Sequence, residues 1–307
     1  ELMKILFFGT PLFAEIVLEK LLEKHEVVGV VCQPDKPANR GKKMQSPNIV
    51  NLAKSQNIPV YQFEKLKEHL EDFKKIKCDL FVTASYGKIL PKEVLDIKMC
   101  INVHPSMLPK YRGATPIQSA LLNGDEKTGV TIMKTAVGMD DGDIILQREV
   151  KIEKEEDYNS LMPRLAEIGG DLLLDAIDRL ENGTAIFQKQ DEKKATFVKL
   201  IKKEDGLLDF TSTAESLVNK VRAYVEFPVA YFNIGDERIK VYKAEAVEGF
   251  EDLEIGEIFT SKKEFIIKAK DKGFKILKCQ VAGGKVLDVK DFLNGHKIME
   301  KKVSECF

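Results

Sequence analysis

Asn102 and His104 stand two residues apart in the run Ile101-Asn102-Val103-His104. On an extended strand that spacing sends both side chains to one face. The run then enters Pro105-Ser106-Met107-Leu108-Pro109, where a strand must stop, so both polar groups belong to a strand end. Asp140, thirty-six residues beyond His104, lies in Gly138-Met139-Asp140-Asp141-Gly142-Asp143, an acidic turn leading into the strand-like run 144–150. An amide, an imidazole and a carboxylate converging at strand ends suit acyl transfer. The amide donates to an oxyanion, the imidazole moves protons near neutral pH, and the carboxylate orients or charge-stabilises the imidazole. A blander reading is also open: a polar strand end at 102–104 and, at Asp140, a turn carboxylate that caps backbone.

The elements that must position these groups alternate. Short apolar runs at 4–8, 27–31, 79–84 and 100–103 read as buried strands, and 13–24 carries Phe13, Val17, Leu18, Leu21 and Leu22 at helical spacing. Strands alternating with helices indicate a mostly parallel sheet covered on both faces, with ligands beyond the carboxyl ends of its strands. Gly9-Thr10-Pro11 turns the first strand into the first helix, with Thr10 placed to cap it and Pro11 in its first turn. A lone Gly9 without GxGxxG reads as a tight turn more than as a dinucleotide fingerprint. A long helix is expected over 156–180, with Gly183 as its stop.

Three segments are basic. Residues 33–47 hold three prolines and four cations (Lys36, Arg40, Lys42, Lys43) against Asp35, and predict a functional loop without regular structure. Residues 189–203 hold six lysines against Asp191 and Glu192 and read as a linker. Residues 262–278 hold seven lysines against Glu264 and Asp271. They fall in a second region where, after a helix at 214–224, short alternating runs at 231–234, 238–246, 256–260, 264–269 and 274–280 are punctuated by glycine. That pattern suggests a small barrel of OB type, a fold that commonly offers a face to nucleic acid. A solvated lysine face is the alternative.

Composition sets outer bounds. The 307 residues suggest two domains, and 44% hydrophobic with 32% charged residues supports an ordinary core and surface. The formal net charge of -1 makes any nucleic-acid surface local. No apolar run is long enough to span a bilayer. The two residues before Met3 read as a cloning remnant. Five cysteines without paired spacing read as free thiols of a reducing cytoplasm, and four histidines without ligand spacing predict no metal site.

Further motifs are Phe8-Gly9-Thr10-Pro11-Leu12-Phe13-Ala14, Tyr86-Gly87-Lys88-Ile89-Leu90-Pro91, and Lys110-Tyr111-Arg112-Gly113-Ala114-Thr115-Pro116-Ile117-Gln118 following Asn102–His104. Gly129-Val130-Thr131-Ile132-Met133, Lys203-Glu204-Asp205-Gly206 and Asp291-Phe292-Leu293-Asn294-Gly295 complete the set. Together these motifs, spread over essentially the whole chain, resemble the 10-formyltetrahydrofolate-dependent formyltransferase family. Met107 and Thr115 stand where that family usually has Leu and often Ala. The resemblance implies an α/β chain: a Rossmann-like, mostly parallel formyltransferase domain over 1–189, a basic linker over 190–205 and an OB-like tRNA-binding barrel over 206–307. It implies transfer of the formyl group of 10-formyltetrahydrofolate, without metal, to the α-amine of methionine on initiator tRNA, in the cytoplasm, with neither membrane nor obligatory protein partner. Asn102, His104 and Asp140 would be catalytic. Ile89 and Leu90, through backbone, and Ser106, Met107, Leu108, Pro109, Asp141 and Gly142 would frame the folate. Arg40, Lys42 and Lys43, with Lys262, Lys263, Lys268 and Lys270, would contact tRNA.

Three rival expectations remain. A formyltransferase acting on a sugar-nucleotide amine shares the same catalytic groups, although the basic Arg40-Gly41-Lys42-Lys43 loop favours tRNA. A non-catalytic RNA-binding protein would leave Asn102, His104 and Asp140 unexplained. A dinucleotide-dependent oxidoreductase would lack its glycine fingerprint.

Overall fold

The structure, a computed structural model, describes residues 2–38 and 43–304. Arg40, Lys42, the side chain of Lys43 and Cys306 lie outside the described residues. The chain divides into two compact units. The first holds residues 1–116, 127–151 and 162–199, and the second 117–126, 152–161 and 200–307.

The first unit is built on a seven-stranded sheet. Its order is Ile144–Lys151, Lys127–Lys134, Cys100–His104, Leu80–Ala84, Lys4–Gly9, Glu26–Val31, Val60–Tyr61. The last five run parallel, and Lys127–Lys134 and Ile144–Lys151 add antiparallel to one edge. The apolar runs form strands because both faces are covered; all five residues of Leu80–Ala84 are buried. From Lys4–Gly9 the chain first builds toward Val60–Tyr61 and then returns to Leu80–Ala84 on the other side. That reversal opens a crevice at the carboxyl ends of these two strands. Phe8 packs on Phe81, Phe73 and Tyr86 with ring centroids 5.4, 5.9 and 5.7 Å away. Each fully buried ring of this kind contributes about 1.5–3 kcal/mol.

The helix Leu12–Leu22 buries Phe13, Ala14, Val17, Leu18 and Leu21 on the sheet. Gly9 permits that packing, since a Cβ there would lie 2.5 Å from the Ala14 Cβ and 2.8 Å from the Ala84 carbonyl oxygen. Thr10, expected to cap this helix, does not. Its hydroxyl donates to the Tyr86 carbonyl (3.3 Å) and accepts from the Gln33 N–H (3.1 Å), lacing together the ends of three strands. The proline-rich segment also differs from expectation. It contains two three-residue strands, Lys36–Ala38 and Lys43–Gln45, paired antiparallel. An isolated two-stranded ribbon has open edges, so Pro37 need not supply an N–H to the pairing. The lysine-rich stretch expected as a linker is, up to Lys199, part of the first unit.

The second unit is an antiparallel sheet ordered Ala230–Ile234, Glu237–Val247, Gly273–Val281, Phe265–Lys268, Ile258–Thr260, with Leu287–Asp288 also pairing to Gly273–Val281. The tail joins its two edges. The Lys301 carbonyl accepts from Ile258 N, Val303 N donates to the Gly256 carbonyl, and Ser304 N donates to that of Asn233, at 2.8, 3.0 and 2.8 Å. The helix Ala214–Tyr224, capped by Thr213, covers a core containing Phe210, Phe232, Phe265, Phe274 and Phe292.

One buried polar residue makes stability pH-dependent. His25 is buried, and neither ring nitrogen has a hydrogen-bond partner among the described residues. Burial pushes its pKa below 6.5, outweighing the pull of Glu181 and Asp178. Below the unfolded-state value the unfolded chain therefore takes the proton more readily, and folded stability is lost as pH falls through about 6.5. His25→Leu is expected to flatten the denaturation midpoint between about pH 7.5 and 5.5. An equally steep fall in that variant would remove His25 as the cause.

Candidate active site

Asn102 and His104 lie on the strand Cys100–His104, between Leu80–Ala84 and Lys127–Lys134. The Asn102 Nδ2 donates to the Thr83 hydroxyl at 2.6 Å, across the parallel pairing of Thr83 with Asn102. Thr83 was missed in the sequence; it fixes the amide and leaves a second N–H for a ligand.

His104 is buried. Its Nε2 lies 2.9 Å from the Tyr111 carbonyl. A carbonyl only accepts, so Nε2 carries the hydrogen, and this assignment leaves Nδ1 to exchange protons. Nδ1 faces the Asp140 Oδ2 at 3.6 Å. That carboxylate oxygen also accepts from the Gly113 N–H at 2.8 Å. A proton arriving on Nδ1 would thus meet an anchored negative charge.

Asp140 sits in the left-handed region, φ +50°. Gly142 closes the same turn, where any Cβ would run into the Lys134 carbonyl oxygen. The segment 109–113 opposite is held by 190–199. Tyr111 N donates to the Thr196 hydroxyl, Arg112 N to the Thr196 carbonyl and Thr196 N to the Pro109 carbonyl. The buried Arg112 guanidinium reaches Gln190 and Glu192. Its hydrogen bond holds the Glu192 carboxyl below the usual range. Thr115 donates to the Lys199 carbonyl at 2.8 Å, so its extra hydroxyl fastens the end of this strap.

The residues expected to frame a folate divide. Ser106 donates to the Lys110 carbonyl at 2.6 Å, and Leu108 packs on Met133 and Ile144. The Met107 sulfur lies against Gly129. Thr131 accepts from Leu108 N and donates to the Ser106 carbonyl, and Gln147 donates to the Leu108 carbonyl. These hydrogen bonds engage much of the loop's backbone and fix its shape. Leu90 is buried, Ile89 is 74% exposed, and Asp141 is exposed. Cys100 shares the Asn102 strand, but burial pushes its thiol up to about 12, which makes it a poor nucleophile.

A cleft of about 350 Å³ opens at the carboxyl ends of Lys4–Gly9 and Glu26–Val31, lined by Thr10, Gln33, Lys36, Gln45 and Asn48 among others. In the second unit, Lys268 is not on the basic face. It is buried, and its ammonium donates to the Asp271 carbonyl at 3.0 Å. Lys272, Lys275 and Lys278 have carboxylate partners across strands or turns. Lys262, Lys263 and Lys270 are exposed, without a salt bridge among the described residues. Nor do three His, Cys, Asp or Glu side chains among the described residues group closely enough to hold a metal ion. No helix among them is long and apolar enough to cross a membrane.

A family profile described as formyl transferase matches residues 3–177, and one described as formyl transferase, C-terminal domain, matches 200–297. A methionyl-tRNA formyltransferase of Sulfurihydrogenibium sp. is 43% identical over 304 residues, covering 96% of this chain and 98% of its own. Among solved structures, HypX of Aquifex aeolicus in complex with tetrahydrofolic acid aligns with TM-score 0.68 at 18% identity, over 99% of this chain and 51% of that one. An N-formyltransferase of Helicobacter canadensis in complex with folinic acid and dTDP-3-aminofucose aligns with TM-score 0.68 at 21% identity, over 90% of this chain and 99% of that one. At these identities the two structures speak to the fold.

Proposed function

This chain belongs to the formyl transferase family, and from that premise we propose that it transfers the formyl group of 10-formyltetrahydrofolate to the α-amine of methionine carried by initiator tRNA. The observation that carries the chemistry is the His104 Nδ1 facing the anchored Asp140 carboxylate, with Asn102 two residues earlier on the same strand. The amine attacks the formyl carbon and the carbonyl oxygen becomes an oxyanion. The free N–H of Asn102 donates to that oxyanion. Nδ1 of His104 takes the proton released by the amine, with Asp140 balancing the charge. The same proton then serves the departing folate nitrogen, and the His104 ring returns to neutral. In this reading the folate donor meets the backbone of Ile89 and Leu90 and is framed by 106–109 and 141–142.

The acceptor is argued from similarity over full length. The methionyl-tRNA enzyme is 43% identical, the sugar-type structure 21%. The cleft beside Thr10 and Lys36 lies two strands from Asn102, roughly 10 Å across the sheet. It suits the terminal nucleotide of an acceptor end, with Arg40, Lys42 and Lys43 against the stem. Lys262, Lys263 and Lys270 add phosphate contacts on the second unit; such contacts position without selecting sequence. The reducing cytoplasm fits the free, buried Cys32, Cys78, Cys100 and Cys279.

The test is formyl transfer from 10-formyltetrahydrofolate to methionyl-tRNA against a sugar-nucleotide amine at equal concentrations. Preference for the sugar would reject the tRNA reading. A companion binding titration concerns the loop. Arg40→Ala with Lys42→Ala is expected to weaken methionyl-tRNA binding and to lower the slope of log K against log salt by up to about 2. Folate affinity should hold. An unchanged salt slope would take the loop out of the tRNA interface.

A further inference from the structure

Asp140 is held in place by a residue fifty positions away in sequence. Gln190 is 9% exposed, and its side-chain amide is fully engaged. The Nε2 donates to the carbonyls of Asp140 and Gly142, both at 2.8 Å. The Oε1 accepts from Nε and Nη2 of Arg112, at 3.1 and 2.9 Å. Carbonyls only accept and guanidinium only donates, so this orientation of the amide is the one its partners allow.

The two segments it joins are the two that bear on His104. Arg112 stands between Tyr111, whose carbonyl takes the Nε2 hydrogen of His104, and Gly113, whose N–H holds the Asp140 carboxylate. On the other side the amide grips the turn in which Asp140 adopts φ +50°, in the left-handed region. We propose that Gln190 is a positioning residue for formyl transfer, setting the Asp140 carboxylate against the proton-exchanging nitrogen of His104. The proposal rests on the reading of Asn102, His104 and Asp140 as the transfer site.

The identity of the residue argues for this role. If position 190 served only to neutralise the buried Arg112, a carboxylate would do so better, and Glu192 already does it at 2.6 Å. A neutral amide is needed because two carbonyls require donors while the guanidinium requires an acceptor. Those donors are aimed at the turn carrying Asp140.

Gln190→Glu separates the roles. It replaces the amide nitrogen by oxygen at nearly constant volume. Arg112 keeps its acceptor, but at neutral pH the Asp140 and Gly142 carbonyls face a second oxygen and the turn is pushed away. The expected variant is folded, with kcat for formyl transfer to methionyl-tRNA lowered about 10- to 100-fold, as a misplacement near 1 Å would do. KM for both substrates should stay within about threefold. Arg112 keeps the introduced carboxylate ionised, so the deficit relative to wild type should persist from about pH 8 to pH 6. A structural role limited to Arg112 would leave kcat at wild-type values. If Q190E does not fold, Gln190→Ala is assayed with and without added acetamide, which can restore both donor and acceptor; acetate should not rescue. Wild-type kcat in a folded Q190E, or a folded Q190A slowed equally with and without acetamide, overturns the proposal. Absence of transfer by the wild-type protein would instead overturn the functional reading beneath it.

Discussion

Asn102→Ala is expected to lower kcat by about 10²–10³ while leaving the Kd values for methionyl-tRNA and the folate donor close to wild type. The amide is anchored beforehand: one N–H is committed to the Thr83 hydroxyl at 2.6 Å, so the other is aimed before substrate arrives. An oriented donor acts where charge develops in the transition state and stabilises the ground-state carbonyl much less, so the loss belongs in kcat. Removing the side chain leaves Thr83 with its longer contact to the Ile101 carbonyl, at 3.5 Å. The strand itself, paired on both sides, should persist. The check is steady-state kinetics with circular dichroism on the same sample. A folded variant with near-wild-type kcat would sink the oxyanion assignment.

His104→Ala is the second large effect, an expected loss of about 10²–10⁴ in kcat. Its size follows from the ring's two fixed ends. The Tyr111 carbonyl holds Nε2–H, and the Asp140 carboxylate faces Nδ1, so the imidazole needs no reorientation to exchange a proton. Alanine removes the proton acceptor and leaves the Asp140 carboxylate without the partner that would link it to the reacting amine. Asp140 keeps its Gly113 hydrogen bond and the Gln190 contact to its backbone, so the turn should survive. Transfer is then carried only by substrate binding and by Asn102. Pre-steady-state measurement with both substrates bound would report the chemical step directly. A loss below about threefold would take His104 out of proton transfer.

Much of the fold is legible in the sequence because hydrophobic period reports burial directly. The helix Ala214–Tyr224 has the bounds its spacing predicts, and four of the five parallel strands fall within a residue or two of their apolar runs, while the two-residue Val60–Tyr61 is too short to show a period. The strand Lys127–Lys134 is harder to see. Thr128, Thr131 and two lysines dilute its apolar pattern, although six of its eight residues are buried. The spacing of the proposed catalytic pair is legible for a simple reason. Residues i and i+2 on a strand share a face, so Asn102 and His104 announce themselves locally.

What holds them does not announce itself. Thr83, Gln190 and Thr196 act through hydrogen bonds to residues 19, 78 and 85 positions away, which no local period encodes. Gln190 and Thr196 are also hidden among lysines, so 189–203 reads as a linker. The one available signal was Arg112, which with Lys110 stands in a segment with no acid near it in sequence and must find acceptors elsewhere if buried. A chain cut at 189 would lose Gln190, Glu192 and Thr196 together, so the boundary matters for any truncation. Lys268 shows the opposite failure, where charge counting overrode pattern. It continues the buried run Phe265-Ile266-Ile267, and that continuity sends it inward.

The most direct test of the account is a single-turnover experiment with the full chain in excess over methionyl-tRNA and saturating formyl-labelled 10-formyltetrahydrofolate. The double variant Asn102→Ala, His104→Ala is run beside wild type after its Kd values for both substrates have been measured. Wild type should convert the bound methionyl-tRNA to its N-formyl form in one turnover. The double variant should bind both substrates normally and transfer at less than about 1% of that rate. Wild-type protein that binds both substrates without moving the label, or a double variant that moves it at the wild-type rate, would contradict the account.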